Sequence, residues 1–154
     1  METEFQTQVR ALSVVALDAI ETMAHQSDHM FLRSFPAGSC DATSFAIGMV
    51  LVGREVGAGA GDWYMVTGAQ EKGHQMHTWV EYRHGDVALY TIDGTLHQFA
   101  ELADAPYIGS AWPGVSPSVA AFPVQQRAVL LRGWSGHVPP EWQMALDAAN
   151  GAFL

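Results

Sequence analysis

The chain reads as an α+β domain, and three observations carry that reading. Phe5, Val9, Leu12, Ala16, Ile20 and Met23 recur at spacings of three and four, which is one face of an amphipathic helix ending before Asp28. A second helical stripe, Cys40, Phe45, Met49 and Val52, follows a break at Pro36-Ala37-Gly38. Three segments rich in aromatic or β-branched residues come next, Trp63 to Thr67, Gln75 to Tyr82 and Val87 to Ile92, and each predicts a strand.

The connections follow the same logic. The loop from Ser27 to Ser39 carries the Pro-Ala-Gly break and redirects the chain into the second helix. Gly48 lies inside that helix, where glycine costs about 1 kcal/mol against alanine, so a close packing contact is expected there. Gly53 to Gly61 holds four glycines and reads as a mobile connection. Pro106 to Pro123 is punctuated by four prolines and two glycines and reads as irregular covering structure. Pro139-Pro140-Glu141 ahead of Trp142, Ala145, Leu146 and Ala149 predicts a short closing helix, since proline suits a first helical turn. No repeat or linker divides the chain, so residues 1–154 are expected to form one domain. At 154 residues such a domain buries roughly two-thirds of the surface its unfolded chain exposes.

Composition narrows the function. The chain is 49% hydrophobic and 15% charged, an ordinary packed globule rather than a disordered tail. Its net charge is -9, Lys72 is the only lysine, and the six arginines are scattered. Neutralising phosphates requires a basic patch, so neither a nucleic-acid partner nor an anionic membrane surface is expected. The start, Met1-Glu2-Thr3-Glu4-Phe5, lacks a basic segment followed by an apolar one, and no apolar run is long enough to cross a bilayer. The expectation is a cytoplasmic protein, or one exported by a machine that needs no N-terminal signal peptide. A single cysteine excludes an internal disulfide. Oligomeric state is left open.

Cys40, His77 and Asp93 supply a thiol, an imidazole and a carboxylate in that order, the parts of a nucleophile, its base and the group that orients the base. A hairpin register links the last two. A three-residue loop, His84-Gly85-Asp86, would pair Arg83 with Val87, so that partner numbers sum to 170 and His77 falls directly opposite Asp93, about 5 Å away between Cβ atoms. A two-residue loop would slip the register by one and send the two side chains to opposite faces. The backbone N–H groups and dipole at a helix start favour a thiolate at Cys40, while the neighbouring Asp41 opposes it. On balance a reactive thiol is expected. Each element also has a plain reading: a buried small hydrophobe, a packed histidine and a turn aspartate.

Phe35-Pro36-x-Gly38-Ser39-Cys40, His77-x-Trp79-Val80-Glu81 and Ile92-Asp93-x-Thr95-x-x-Gln98-Phe99 together resemble the papain-like and transglutaminase-like cysteine hydrolases, in particular a bacterial group of small members. The resemblance spans Phe35 to Phe99. It implies a nucleophile at the N-terminus of a central helix packed on an antiparallel sheet that carries the histidine and aspartate. It also implies thiol-dependent hydrolysis of a peptide or glutamine amide through an acyl-enzyme, as in peptidases, amidases and glutamine-deamidating bacterial effectors. Cys40 would be the nucleophile, His77 the base and then acid, and Asp93 the orienting group. Thr78, where alanine is commoner, and Asp41, where a small residue is usual, depart from the pattern. The partner implied is a protein or peptide substrate. Arylamine-type acyltransferases use the same three residue types, but an Arg-Gly-Gly before the cysteine is absent here.

The backbone N–H of Cys40 is the first candidate oxyanion donor, with Gln70, Gln75 and the Trp79 indole as candidates for the second. Gln98 is a candidate brace for the hairpin or for Asp93. No metal or cofactor is expected: His74 and His77 alternate across a strand, and His25 and His29 lack a third ligand. Trp112, Trp134 and Trp142 read as core or covering residues. The alternative in another class is a non-catalytic binding or immunity module built on the same scaffold.

Overall fold

The structure, a computed structural model, describes residues 2–73, 75–111 and 115–154. Among these, α1 (Glu4–His25), α2 (Cys40–Gly53), β1 (Asp62–Ala69), β2 (Met76–His84), β3 (Val87–Asp93), β4 (Tyr107–Ser110), α3 (Pro117–Ala121), β5 (Val124–Leu130) and α4 (Pro140–Gly151) follow in order, with a 3-10 turn over Leu96–Gln98. The α+β class stands. The strands form one open antiparallel sheet in the order β4-β3-β2-β1-β5.

Local chemistry explains the helices. Thr3 and Gln6 close a reciprocal capping box at the start of α1, and its apolar face buries Val9, Ala16 and Ile20. Helix α2 differs from the expected stripe. Residues 42–48, Val50 and Leu51 are all buried, whereas Met49 and Val52 are only partly so. The reason is position: α2 packs against α1, α4, β1 and β2 at once, and a helix enclosed on several sides is apolar all round. A Cβ on Gly48 would collide with the Leu131 side chain, the close contact expected there. Pro140 occupies the first turn of α4, and Trp134 meets Phe45 edge-on at 5.5 Å while Trp142 lies tilted against it at 5.1 Å.

Three expectations are corrected. The Gly53–Gly61 connection is tied down rather than loose: the Trp63 indole donates to the Val56 carbonyl at 2.9 Å and the Tyr82 hydroxyl to the Gly57 carbonyl at 2.6 Å. The stretch after Pro106 holds a strand and a short helix, β4 and α3, and is not wholly irregular. Strand β5, pairing with β1, was not expected at all.

The two faces of the sheet differ. Trp63, Met65, Val80, Tyr82, Tyr90 and Ile92 join α1, α2 and α4 in the main core. Val66 and Trp79, direct cross-strand partners, lie on the other face with Phe99 and Phe122. There α3 and the 3-10 turn form the cover.

Candidate active site

The second face of β2 carries His77, and the β2–β3 register decides what it meets. Two residues, Gly85 and Asp86, link the strands, and His84 pairs with Val87. Gly85 takes φ +59°, the left-handed region that glycine enters without strain. The expected three-residue loop is therefore wrong, and a two-residue loop alone would separate His77 from Asp93. A bulge reverses that slip. Arg83 pairs with Ala88 but Tyr82 pairs with Tyr90, leaving Leu89 as the extra residue. Beyond it, partner numbers sum to 172, the parity of odd with odd returns, and Asp93 rejoins the face of His77. The two residues are diagonal rather than directly opposite neighbours.

The pair is closed. His77 Nε2–H donates to both Asp93 oxygens, at 2.9 and 2.8 Å, with both side chains fully buried. The carboxylate also accepts from the Ser118 hydroxyl at 2.6 Å and the Thr95 N–H at 3.3 Å. Buried carboxylates need such donors. The imidazole sits among aromatic rings, 5.1 Å from both Phe99 and Phe122 and 6.0 Å from Trp79. Since Nε2 carries the proton given to Asp93, the basic nitrogen is Nδ1. The Gln98 amide lies 3.3 Å from it and 3.4 Å from the Thr95 hydroxyl. Gln98 therefore braces the histidine, not the aspartate.

Cys40 opens α2 directly after Ser39, whose hydroxyl donates to the Pro36 carbonyl at 2.9 Å. The N–H groups of α2 ahead of Thr43 have no partner within the helix. Cys40 is partly buried, and its thiol bonds the Asp41 carboxylate at 3.8 Å. Burial, then the charge of Asp41, push the thiol up from its ordinary 9.0 to about 11, hydrogen bonding to Thr78 pulls it back, and Asp93 adds to the rise. Burial and Asp41 thus act against the thiolate that the helix start favours.

The three predicted residues are not all brought together: α2, which Cys40 opens, packs on the sheet face opposite the one that carries the imidazole. His77 and Asp93 form a buried bonded pair. The thiol lies against Thr78, the residue after His77, but among the described residues it forms no hydrogen bond with the imidazole. The Trp79 indole is committed to Glu81 at 3.0 Å, which removes it as a free oxyanion donor. Ser118 is the residue that sequence reasoning missed; an ordinary serine after Ser116-Pro117 carries no local sign of a partner 25 residues away.

Among the described residues no group of three histidine, cysteine or acidic side chains is placed to hold a metal. His74 and Trp112 lie outside the described residues. His29 faces Glu141 at 3.6 Å and His25 packs edge-on to Phe35. Among the described residues no helix is long and apolar enough to cross a membrane. No protein-family model, curated protein or solved structure matches the chain.

Proposed function

We propose that this domain hydrolyses an amide bond, in a peptide or a glutamine side chain, through a Cys40 acyl-enzyme on a papain-like or transglutaminase-like scaffold. The observation that carries the reading is the fully buried His77–Asp93 pair, which fixes one imidazole tautomer beside the strand residue against which the Cys40 thiol rests.

The raised thiol selects the mechanism. Burial and the charge of Asp41 hold the thiol above its ordinary range and so favour its protonated form at pH 7. Proton removal therefore accompanies attack. Attack requires the thiol to move within reach of Nδ1 as the Gln98 amide swings off it; Nδ1 then takes the thiol proton and the sulfur bonds the amide carbon. The carbonyl oxygen gains charge facing the free N–H groups at the start of α2. When the C–N bond breaks, His77 gives its proton to the departing amine or ammonia. Water, deprotonated by His77, then cleaves the thioester, and the imidazolium returns that proton to the departing Cys40 sulfur.

A second reading is a non-catalytic binding module. The observation favouring it is the thiol held protonated and bonded to Asp41 rather than to His77. One experiment divides the two. Cys40→Ala, which retains the site but not the nucleophile, is used to capture proteins and peptides, and these are then exposed to the wild type. Cleavage or deamidation of a captured partner, seen by mass spectrometry, supports hydrolysis. Capture with no chemical change in the partner replaces it with the binding reading.

A further inference from the structure

We infer that Ser118 is the positioning residue of this site, holding the Asp93 carboxylate in the one orientation that commits His77 to its Nε2–H tautomer. The inference rests on the proposed function only for its consequence; the geometry stands independently of it.

Three donors converge on Asp93. Ser118 Oγ–H reaches Oδ2 at 2.6 Å, the Thr95 N–H reaches Oδ1 at 3.3 Å, and His77 Nε2–H bridges both oxygens. Thr95 belongs to the turn that follows Asp93 and moves with it. Ser118 comes from a separate element, so it is the contact that fixes the carboxylate against the covering layer.

That element is itself held in place. The Ser116 hydroxyl caps α3 by accepting from the Val119 N–H at 3.2 Å, and Pro117 sets its first turn. At its far end the fully buried Phe122 packs against His77, Trp79 and Phe99. Ser118 is also fully buried. Asp93 is fully buried as well, so losing the hydroxyl leaves one carboxylate oxygen short of a donor and frees the carboxylate to turn. A turned carboxylate no longer presents both oxygens to Nε2. The imidazole can then carry its proton on Nδ1, which removes the lone pair that must accept the thiol proton.

The test uses the full chain labelled with 15N. Long-range proton–nitrogen spectra report which nitrogen of His77 carries the proton in the wild type, Ser118→Ala and Ser118→Thr. The expected result is a single Nε2–H tautomer in the wild type and in Ser118→Thr, which keeps the hydroxyl, and a mixture of tautomers in Ser118→Ala. Acetylation of Cys40 by p-nitrophenyl acetate should fall at least tenfold in Ser118→Ala and recover in Ser118→Thr. Should Ser118→Ala fail to fold, Ser118→Cys, close in size but a poor donor, gives the same tautomer readout. An unchanged Nε2–H tautomer in the hydroxyl-lacking variant overturns the inference and leaves Ser118 as packing. If the tautomer shifts while wild-type Cys40 never acetylates, Ser118 keeps its positioning role and the catalytic reading fails.

Discussion

His77 Nε2 lies 2.8 and 2.9 Å from the two oxygens of Asp93, although the register sets Asp93 two positions short of direct opposition. The bulge at Leu89 makes this diagonal contact possible, because it returns both side chains to one face after a two-residue turn has split them. The contact is buried and fed by two further donors, so it bears on stability as well as on chemistry.

Asp93→Asn should therefore destabilise the fold by about 2–4 kcal/mol, since an amide presents N–H groups to sites that now receive hydrogen bonds from His77, Ser118 and Thr95. Urea unfolding followed by tryptophan fluorescence measures this. A loss within experimental error would show that the pair is not an integral part of the packed layer.

Two glycines separate tolerable from intolerable crowding. A Cβ on Gly48 meets the end of the Leu131 side chain, which can rotate, while a Cβ on Gly68 meets the Phe122 carbonyl, which is backbone, and the Trp79 ring at 2.9 Å. Gly48→Ala also gains about 1 kcal/mol of helix propensity, which offsets an overpacking cost of about 1–3 kcal/mol. Gly68→Ala gains a similar strand preference, but its clash is with backbone that cannot rotate away, so it should be the more damaging, by about 2 kcal/mol or more. Urea midpoints in the reverse order would contradict this packing.

The Cys40 thiol should alkylate slowly with iodoacetamide at pH 7, slower than the same thiol in the urea-unfolded chain, and accelerate as pH rises toward 11. Asp41→Asn should speed the reaction severalfold, because it removes a charge that opposes the thiolate. The linked stability has a definite sign. The folded thiol titrates above its ordinary value, so folding free energy is fully present below pH 9 and is lost as pH rises from 9 toward 11. Cys40→Ser should lack that loss. Labelling faster than in the unfolded chain, or no response to Asp41→Asn, would show that burial and Asp41 do not hold the thiol protonated.

Much of the frame was legible in the residues. The spacing from Phe5 to Met23 gave α1, the Pro-Ala-Gly break gave the start of α2 at Cys40, and Pro140 gave α4, because periodicity and backbone constraints are local properties. Strand β5 was not legible: between Val124 and Leu130 the side chains are mostly exposed, so no alternating apolar face marks it. The Leu89 bulge was not legible either. Arg83-His84-Gly85-Asp86-Val87 suits a two- or a three-residue loop equally, and the choice is settled by how the whole sheet packs. The raised thiol depended on burial around α2, a tertiary property. Ser118 depended on a long-range contact with no local signature.

The most direct test of the account is acetylation of Cys40 by p-nitrophenyl acetate at pH 7, read by intact mass and by the release of p-nitrophenolate. In the wild type the account predicts one acetyl group on Cys40 and a burst of p-nitrophenolate that scales with the amount of protein. His77→Ala should lower the burst rate on the order of a hundredfold or more, the range that a lost general base costs, and Cys40→Ala should abolish it. Acetylation of Cys40 at the same rate with and without the His77 imidazole would contradict the claim that these residues act together.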